Sequence, residues 1–227
     1  MHQEKHGIII TIDGPAGSGK TTTAKGVAEK LSYLHLDSGA LYRAATLQAL
    51  RSKIDLQNKD SVVHAVEKAN IDLFKENGYL RVVLNGKDVT DAIRLPEVTK
   101  AIKYVASNPA VRDILTRKQR DLAGNGGVVV EGRDTGTVVF PNADLKIYLD
   151  ASIEERAKRR HLELASKGIH VDLDKLRDEI ENRDRSDSAR KYSPLKKPED
   201  AIVLNTSDLT IEQQVDFVVR EARKRGA

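Results

Sequence analysis

Between Gly14 and Thr21 the chain reads G-x-x-x-x-G-K-T, through Pro15, Ala16, Gly17, Ser18, Gly19 and Lys20. Glycines at 14, 17 and 19 allow backbone conformations that a Cβ forbids, so consecutive N–H groups can turn toward one anion. A helix that starts there adds its positive end. In this pattern the lysine reaches the β- and γ-phosphates of a nucleoside triphosphate, and the threonine hydroxyl ligates Mg²⁺. The apolar run from Ile8 to Ile12 reads as a buried strand and residues 22–32 as a helix. The motif therefore stands in the strand–turn–helix setting it requires. The plain alternative, an ordinary glycine-rich turn, leaves the Lys20-Thr21 pair unexplained.

Further charged residues stand where phosphate chemistry would use them. Asp37 or Ser38 can cap a helix running to about Arg51, which sets Arg43 one turn from the cap. A cap with a surface arginine fits the same spacing. The strand Val128 to Glu131 runs into Gly132-Arg133-Asp134, and parallel strands carry binding residues at their carboxyl ends. A phosphate-loop enzyme keeps a second Mg²⁺ or water-orienting acid there, which makes Glu131 and Asp134 candidates. An Arg133–Asp134 turn salt bridge is the structural alternative. Arg156, Arg159 and Arg160 follow a Ser152 cap at i, i+3 and i+4 and share one helix face. Such a face could close over a polyphosphate, or be a solvated face paired to Glu154 and Glu155. Arg112, Arg117, Lys118 and Arg120 mark a basic surface on a helix from about Ala110 to Ala123. Arg183 to Arg190 is dense in alternating charge.

These residues need an α/β frame. After the first helix come a strand at 33–36, core strands at 128–131 and 145–149, a last strand at 201–204 and a closing helix from Ile211 capped by Thr210. Between about Asp60 and Tyr104 the pattern changes. Leu73-Phe74 and Leu80 to Leu84 flank Asn77-Gly78, a hairpin signal, and Asn85-Gly86 is a second turn. A small β-rich insert is expected there.

The chain has 227 residues, 32% charged and 39% hydrophobic, which fits one soluble globular domain and not a disordered chain. No apolar run approaches the ~20 residues that span a bilayer, so no membrane association is expected. Met1 to His6 is polar and leads straight into the first strand, so no signal peptide is expected. Cysteine is absent, which excludes disulfides and suits a reducing, cytoplasmic setting. The six histidines show no ligand-like spacing, and His170 reads as a solvated surface residue. The net charge of +4 is spread over interleaved acids and bases, and only three Phe and no Trp could stack bases. Small phosphates, rather than nucleic acid, are the expected partners.

Taken together, Ile12 to Thr21, Leu36 to Arg43, Gly132 to Pro141, Arg183 to Asp187 and Ser193 to Leu195 resemble the bacterial cytidylate kinases, within the nucleoside monophosphate kinase family. The resemblance covers nearly the whole chain. It implies a three-layer P-loop NTPase core with a parallel sheet, at about 1–59, 105–150 and 191–227. It also implies a nucleotide-acceptor insert at about 60–104 and a short lid at about 151–190. ATP would be the donor and CMP or dCMP the acceptor, with Mg²⁺, in a cytoplasmic monomer. By the same resemblance Asp13 to Thr21 hold ATP and Mg²⁺, and Ser38 and Arg43 contact the acceptor phosphate. Arg112, Arg133 and Asp134 surround the acceptor, Arg183 and Arg190 grip phosphate, and Asp187 faces the ribose hydroxyls. Arg156, Arg159 and Arg160 resemble the lid cations. Lys20, Arg133, Asp134 and the three lid arginines form the expected catalytic set. Two positions depart from the family pattern. Glu131 stands where Asp is more frequent, which keeps the charge but changes its reach. Lys103 stands where a base-reading Ser is frequent, so the resemblance implies cytosine selectivity over uracil less strongly than it implies kinase activity.

The expected chemistry is positioning and charge neutralisation, with no covalent intermediate. The attacking group is a phosphate oxygen, already ionised near neutral pH, so no strong general base is needed. A phosphate-loop kinase for UMP, AMP or a small metabolite is the nearest rival. A GTPase-type switch would need N-K-x-D after a strand. Asn58-Lys59-Asp60-Ser61 misplaces the Asp in a polar loop, and Asp121 to Gly124 matches D-x-x-G at a helix end.

Overall fold

The computed structural model describes residues 7–76, 79–166 and 168–227. In chain order the elements are β1 (Ile9–Asp13), α1 (Lys20–Leu31), β2 (Leu34–Asp37), α2 (Ser38–Arg51), α3 (Lys59–Glu67), β3 (Ile71–Glu76), β4 (Tyr79–Leu84) and β5 (Lys87–Asp88). A 3₁₀ turn (Ala92–Arg94), α4 (Pro96–Ala106), α5 (Pro109–Ala123) and β6 (Val128–Gly132) follow. Then come a π-helical turn (Thr135–Val139), β7 (Leu145–Asp150), α6 (Ile153–Ala165), α7 (Leu173–Ser188), β8 (Ile202–Asn205) and α8 (Ile211–Arg223). The chain divides into two compact units: Met1–Tyr33 with Asn125–Ala227, and Leu34–Gly124.

In the first unit β6, β1, β7 and β8 lie side by side in that order, and each adjacent pair is parallel. Parallel strands buried on both faces read as continuous apolar runs, which is the pattern of Val128 to Val130 and of Ile8 to Ile12. Ile10 and Ile12 of β1, Val129 of β6 and Ile147 and Leu149 of β7 meet Ala24, Val27 and Ala28 of α1 and Val215, Val218 and Val219 of α8. This core fixes one face of the sheet. Thr210 caps α8 through a capping box, its hydroxyl accepting from Gln213 N–H while the Gln213 side chain accepts from Thr210 N–H. The chain leaves β1 with neighbours β6 and β7 on opposite sides, so the segment after β1 emerges at a switch in strand order. Ligands of open α/β sheets bind at such a point.

The second unit has an antiparallel sheet, β3-β4-β5. The hairpin expected from Leu73-Phe74 and Leu80 to Leu84 is present and longer, Ile71–Glu76 pairing with Tyr79–Leu84 and Leu73 lying opposite Val82. The Asn77-Gly78 turn lies outside the described residues, as does Met1–His6. The Asn85-Gly86 turn is present, with Asn85 at φ 52°. Helices α3 and α4, which the sequence reading missed, precede and follow these strands in the chain. The packing of α2 on α4 and of α3 on α5 explains why the compact unit extends beyond 60–104. No described helix is long and apolar enough to cross a membrane.

Candidate phosphate-transfer site

Of the two units, the first holds the phosphate loop and most of the charged candidates. The loop leaves β1 at Gly14, whose φ of +152° and whose Cβ position, 2.1 Å from the Leu149 carbonyl oxygen, admit only glycine. Helix α1 begins at Lys20, two residues earlier than expected. Gly19 stands at its N-cap in a left-handed conformation, with no side-chain cap. The first-turn N–H groups are thus uncapped by side chains at the positive end of the helix, the arrangement that receives an anion. Lys20 Nζ donates to the Pro15 carbonyl at 2.5 Å and to Ser18 Oγ at 3.3 Å. Burial, then the charges of Arg133 and Arg183, hold its ammonium well below the ordinary lysine value; Glu131 and Asp13 oppose them.

Thr21 Oγ1 donates to Glu131 Oε2 at 2.7 Å, although 110 residues separate them. The pairing of Ile12 with Glu131 across β1 and β6 places the carboxylate there. A hydroxyl and a carboxylate in contact beside a phosphate loop are two hard oxygen donors, suited to Mg²⁺, which binds few protein oxygens and keeps waters or substrate phosphates as its other ligands. No cluster of three or more His, Cys, Asp or Glu that could hold a metal occurs among the described residues.

Asp13, expected in the donor-binding set, spends its side chain on the turn that follows Arg133-Asp134. Oδ1 accepts from Thr135 N (3.0 Å) and Thr135 Oγ1 (2.8 Å), and Oδ2 accepts from Gly136 N at 2.7 Å. Asp13 is fully buried, and burial raises its carboxyl above the ordinary value despite these donors. It anchors the π-helical turn that follows Arg133-Asp134. In that turn Phe140 N donates to Thr135 O at 2.7 Å. Asp134 itself is buried.

Arg133 joins Asp187. Its Nε donates to Asp187 Oδ2 at 3.0 Å, and Arg190 pairs with the other oxygen, Oδ1. The carboxylate is therefore held between two guanidiniums, near the C-terminal end of α7. Arg183 is exposed, one turn before Asp187.

The three arginines of α6 do not form one solvated face. Arg156 is 9% exposed; its Nε donates to Ala151 O at 3.1 Å, and its Nη1 donates to Ala16 O at 3.0 Å and pairs with Asp184. Arg159 donates to Glu155 Oε1, to Thr206 Oγ1 and to the Thr206 carbonyl, at 3.0, 3.0 and 2.5 Å. Thr206, fully buried, in turn donates to the Ser18 carbonyl at 3.2 Å. Arg160 is the exposed member and pairs with Glu163 at 2.7 Å. Spacing put the three on one side of a helix, but the ends of long side chains go where acceptors are. Three of the residues that accept from them, Ala16, Asp184 and Thr206, belong to other parts of the chain.

Sequence reasoning missed Asp184 and Thr206. Asp184 lay inside the charge-dense segment 183–190 and was masked by its arginine neighbours. Thr206 has no signal of its own. Gln214 was also missed; it is fully buried and accepts from Thr23 Oγ1 at 2.8 Å.

The second unit holds four candidates. Asp37 is the cap of α2, accepting from Ala40 N at 3.0 Å, and Ser38 is buried at the first helical position. Arg43 Nη1 donates to Thr99 Oγ1 at 2.9 Å. Arg112, expected on a basic surface, is 5% exposed. Its guanidinium lies 5.0 Å from the Tyr42 ring centroid and donates to the Ala106 carbonyl at 3.0 Å. Residue 112 falls on the apolar side of α5, with Val111 and Leu115, and its charge is met by a ring face and a carbonyl. Lys103 is exposed, 5.0 Å from the Tyr104 ring centroid. Asn58 Oδ1 accepts from Ser61 N at 3.0 Å and caps α3, so the N-K-x-D-like stretch is a helix start. His170 is exposed, as expected.

A family model described as Cytidylate kinase matches residues 10–224. A protein named cytidylate kinase from Geobacillus sp. is 49% identical over 222 residues, covering 97% of this chain and 99% of its own. Another of that name from Bacillus cereus is 47% identical over 212 residues, covering 93% and 94%.

Proposed function

The chain belongs to the cytidylate kinase family, and from that premise we propose that it transfers the γ-phosphoryl group of ATP to CMP or dCMP, giving ADP and CDP or dCDP. The observation that carries this reading is the family match across residues 10–224. The loop geometry supplies the physics. Uncapped N–H groups at Gly19 to Thr21 and the Lys20 ammonium receive the donor phosphates. Anionic oxygens in the loop favour the charged form of Lys20, which burial opposes.

Thr21 and Glu131 are the residues that would hold Mg²⁺. When bound, the ion neutralises phosphate charge. The acceptor roles that the family implies for Arg133, Asp134, Arg183, Asp187 and Arg190, and for Ser38, Arg43, Lys103 and Arg112, are part of this proposal. The acceptor oxygen is already ionised, so the protein's task is to bring two polyanions together in line. Charge-assisted, bidentate contacts from guanidinium groups suit that task. Of the lid cations, Arg160 is the one whose exposure leaves it available to phosphate. Arg156 bonds the loop at Ala16, and Arg159 reaches it through Thr206.

The test is CDP formation from ATP and CMP by the purified chain, followed by chromatography with Mg²⁺ and again with excess chelator. CDP is expected only with Mg²⁺. Hydrolysis of ATP without CDP would contradict the reading, and turnover in chelator would remove the Thr21–Glu131 assignment.

A further inference from the structure

Ala16 sits in the middle of the phosphate loop, between Gly14 (φ +152°) and Gly17 (φ +79°). A loop with this much conformational freedom has a large entropy to lose before it can present N–H groups to an anion. Something outside it must hold its shape. At Ala16 both backbone polar groups are taken by side chains from elsewhere. Its N–H donates to Asp184 Oδ1 at 2.9 Å, and its carbonyl accepts from Arg156 Nη1 at 3.0 Å. Asp184 Oδ2 pairs with that same nitrogen, so the two side chains close a ring around one residue. Arg156 is pinned in turn by its Nε donation to Ala151 O. The Ala16 methyl is seated against Ala157 of α6 and Ile180 of α7. Ile180 and Asp184 are i and i+4 on α7, so a single helix face supplies both the packing and the carboxylate.

A carboxylate beside a polyphosphate site works against binding unless something compensates. Here the Arg156 charge compensates it, and the pair is charge-assisted. We propose that Asp184 is a positioning residue for the donor loop, acting through the Ala16 N–H and through Arg156. Helix α7, which also carries Arg183 and Asp187, thereby sets the loop's shape. This rests on the donor-site reading given above. In that reading Arg156 serves as the loop's clamp and not as a free lid cation.

The experiment compares Asp184→Ala and Asp184→Asn with the full-length wild-type protein. It measures the Kd of ATP with a fluorescent ATP analogue, KM for each substrate, kcat and Tm. Asn keeps an acceptor for the Ala16 N–H but loses the charge opposite Arg156. The Ala variant should bind ATP about tenfold to a hundredfold more weakly, with KM for CMP changed by less than about threefold, and Asn should fall between Ala and wild type. If the Ala variant is too unstable to purify, the Asn variant carries the same comparison. A lowered Tm with ATP affinity within about twofold of wild type would show a purely structural role and overturn the proposal. So would an equal rise in both KM values. Wild-type protein that bound no ATP would instead overturn the donor-site reading, and that is measured first.

Discussion

Lys20 shows how a binding residue can cost stability until its ligand arrives. Its ammonium is buried, and Arg133 and Arg183 add to the penalty. The folded pKa is lowered, so the folded chain binds fewer protons at this group than the unfolded chain does. Wild-type unfolding free energy therefore rises with pH between the lowered value and the ordinary ~10.4, and below that window the whole cost stands. Lys20→Met removes the charge. Ligand-free Lys20→Met should melt above wild type near neutral pH, and the difference should shrink as pH approaches about 10. Its CDP formation should fall by about a hundredfold to a thousandfold. Calorimetry across pH, beside the assay, checks both; a gap that widens with pH, or near-normal turnover, would contradict this account of Lys20. Lys20 and Thr21 were legible because their chemistry is tied to a fixed local spacing. The hydrogen bond from Thr21 to Glu131 was not, because strand register sets it across 110 residues.

At the level of elements, the β1–loop–α1 unit works because the backbone does the binding. Gly14 is its least replaceable position: an added Cβ would meet the Leu149 carbonyl oxygen at 2.1 Å in a conformation that L residues rarely adopt. Gly14→Ala should fold, since the clash involves one backbone oxygen at the carboxyl end of β7 and leaves the apolar side chains of the α1–α8 core unchanged. It should nonetheless lose ATP affinity by about tenfold or more as the loop shifts. Titration of the nucleotide together with circular dichroism tests this; wild-type affinity would show that the loop tolerates the displacement. Most strands and helices were readable from apolar runs and caps, as with Ser152 capping α6 and Thr210 capping α8. The π-helical turn at 135–139 was not. Its cause is the buried Asp13 carboxylate, which gathers two backbone N–H groups and a hydroxyl from across the sheet, and nothing in the local sequence announces that. Helix α4 was missed for a related reason: Pro96 to Ala106 stands among turn signals that pointed to strands.

Across the whole molecule, the candidate residues divide between the two compact units, and the division makes a separable prediction. Arg43, in the second unit, is held by Thr99 on α4 and is assigned to the acceptor. Arg43→Ala should raise KM for CMP by about tenfold to a hundredfold and leave the Kd of ATP within about twofold. A loss of ATP affinity instead would move Arg43 out of the acceptor set. The parallel-sheet class was legible from the order of apolar runs. The extent of the second unit was not, because α2 packs on α4 and α3 on α5 through contacts that sequence order does not reveal. The central claim is that this chain phosphorylates cytidine nucleotides. Its most direct test is kcat/KM for CMP, dCMP, UMP and AMP with ATP, in one coupled ADP assay. CMP and dCMP should exceed UMP and AMP by about tenfold or more, the discrimination that about 1.4 kcal/mol of base recognition provides. UMP or AMP equal to or above CMP would contradict it.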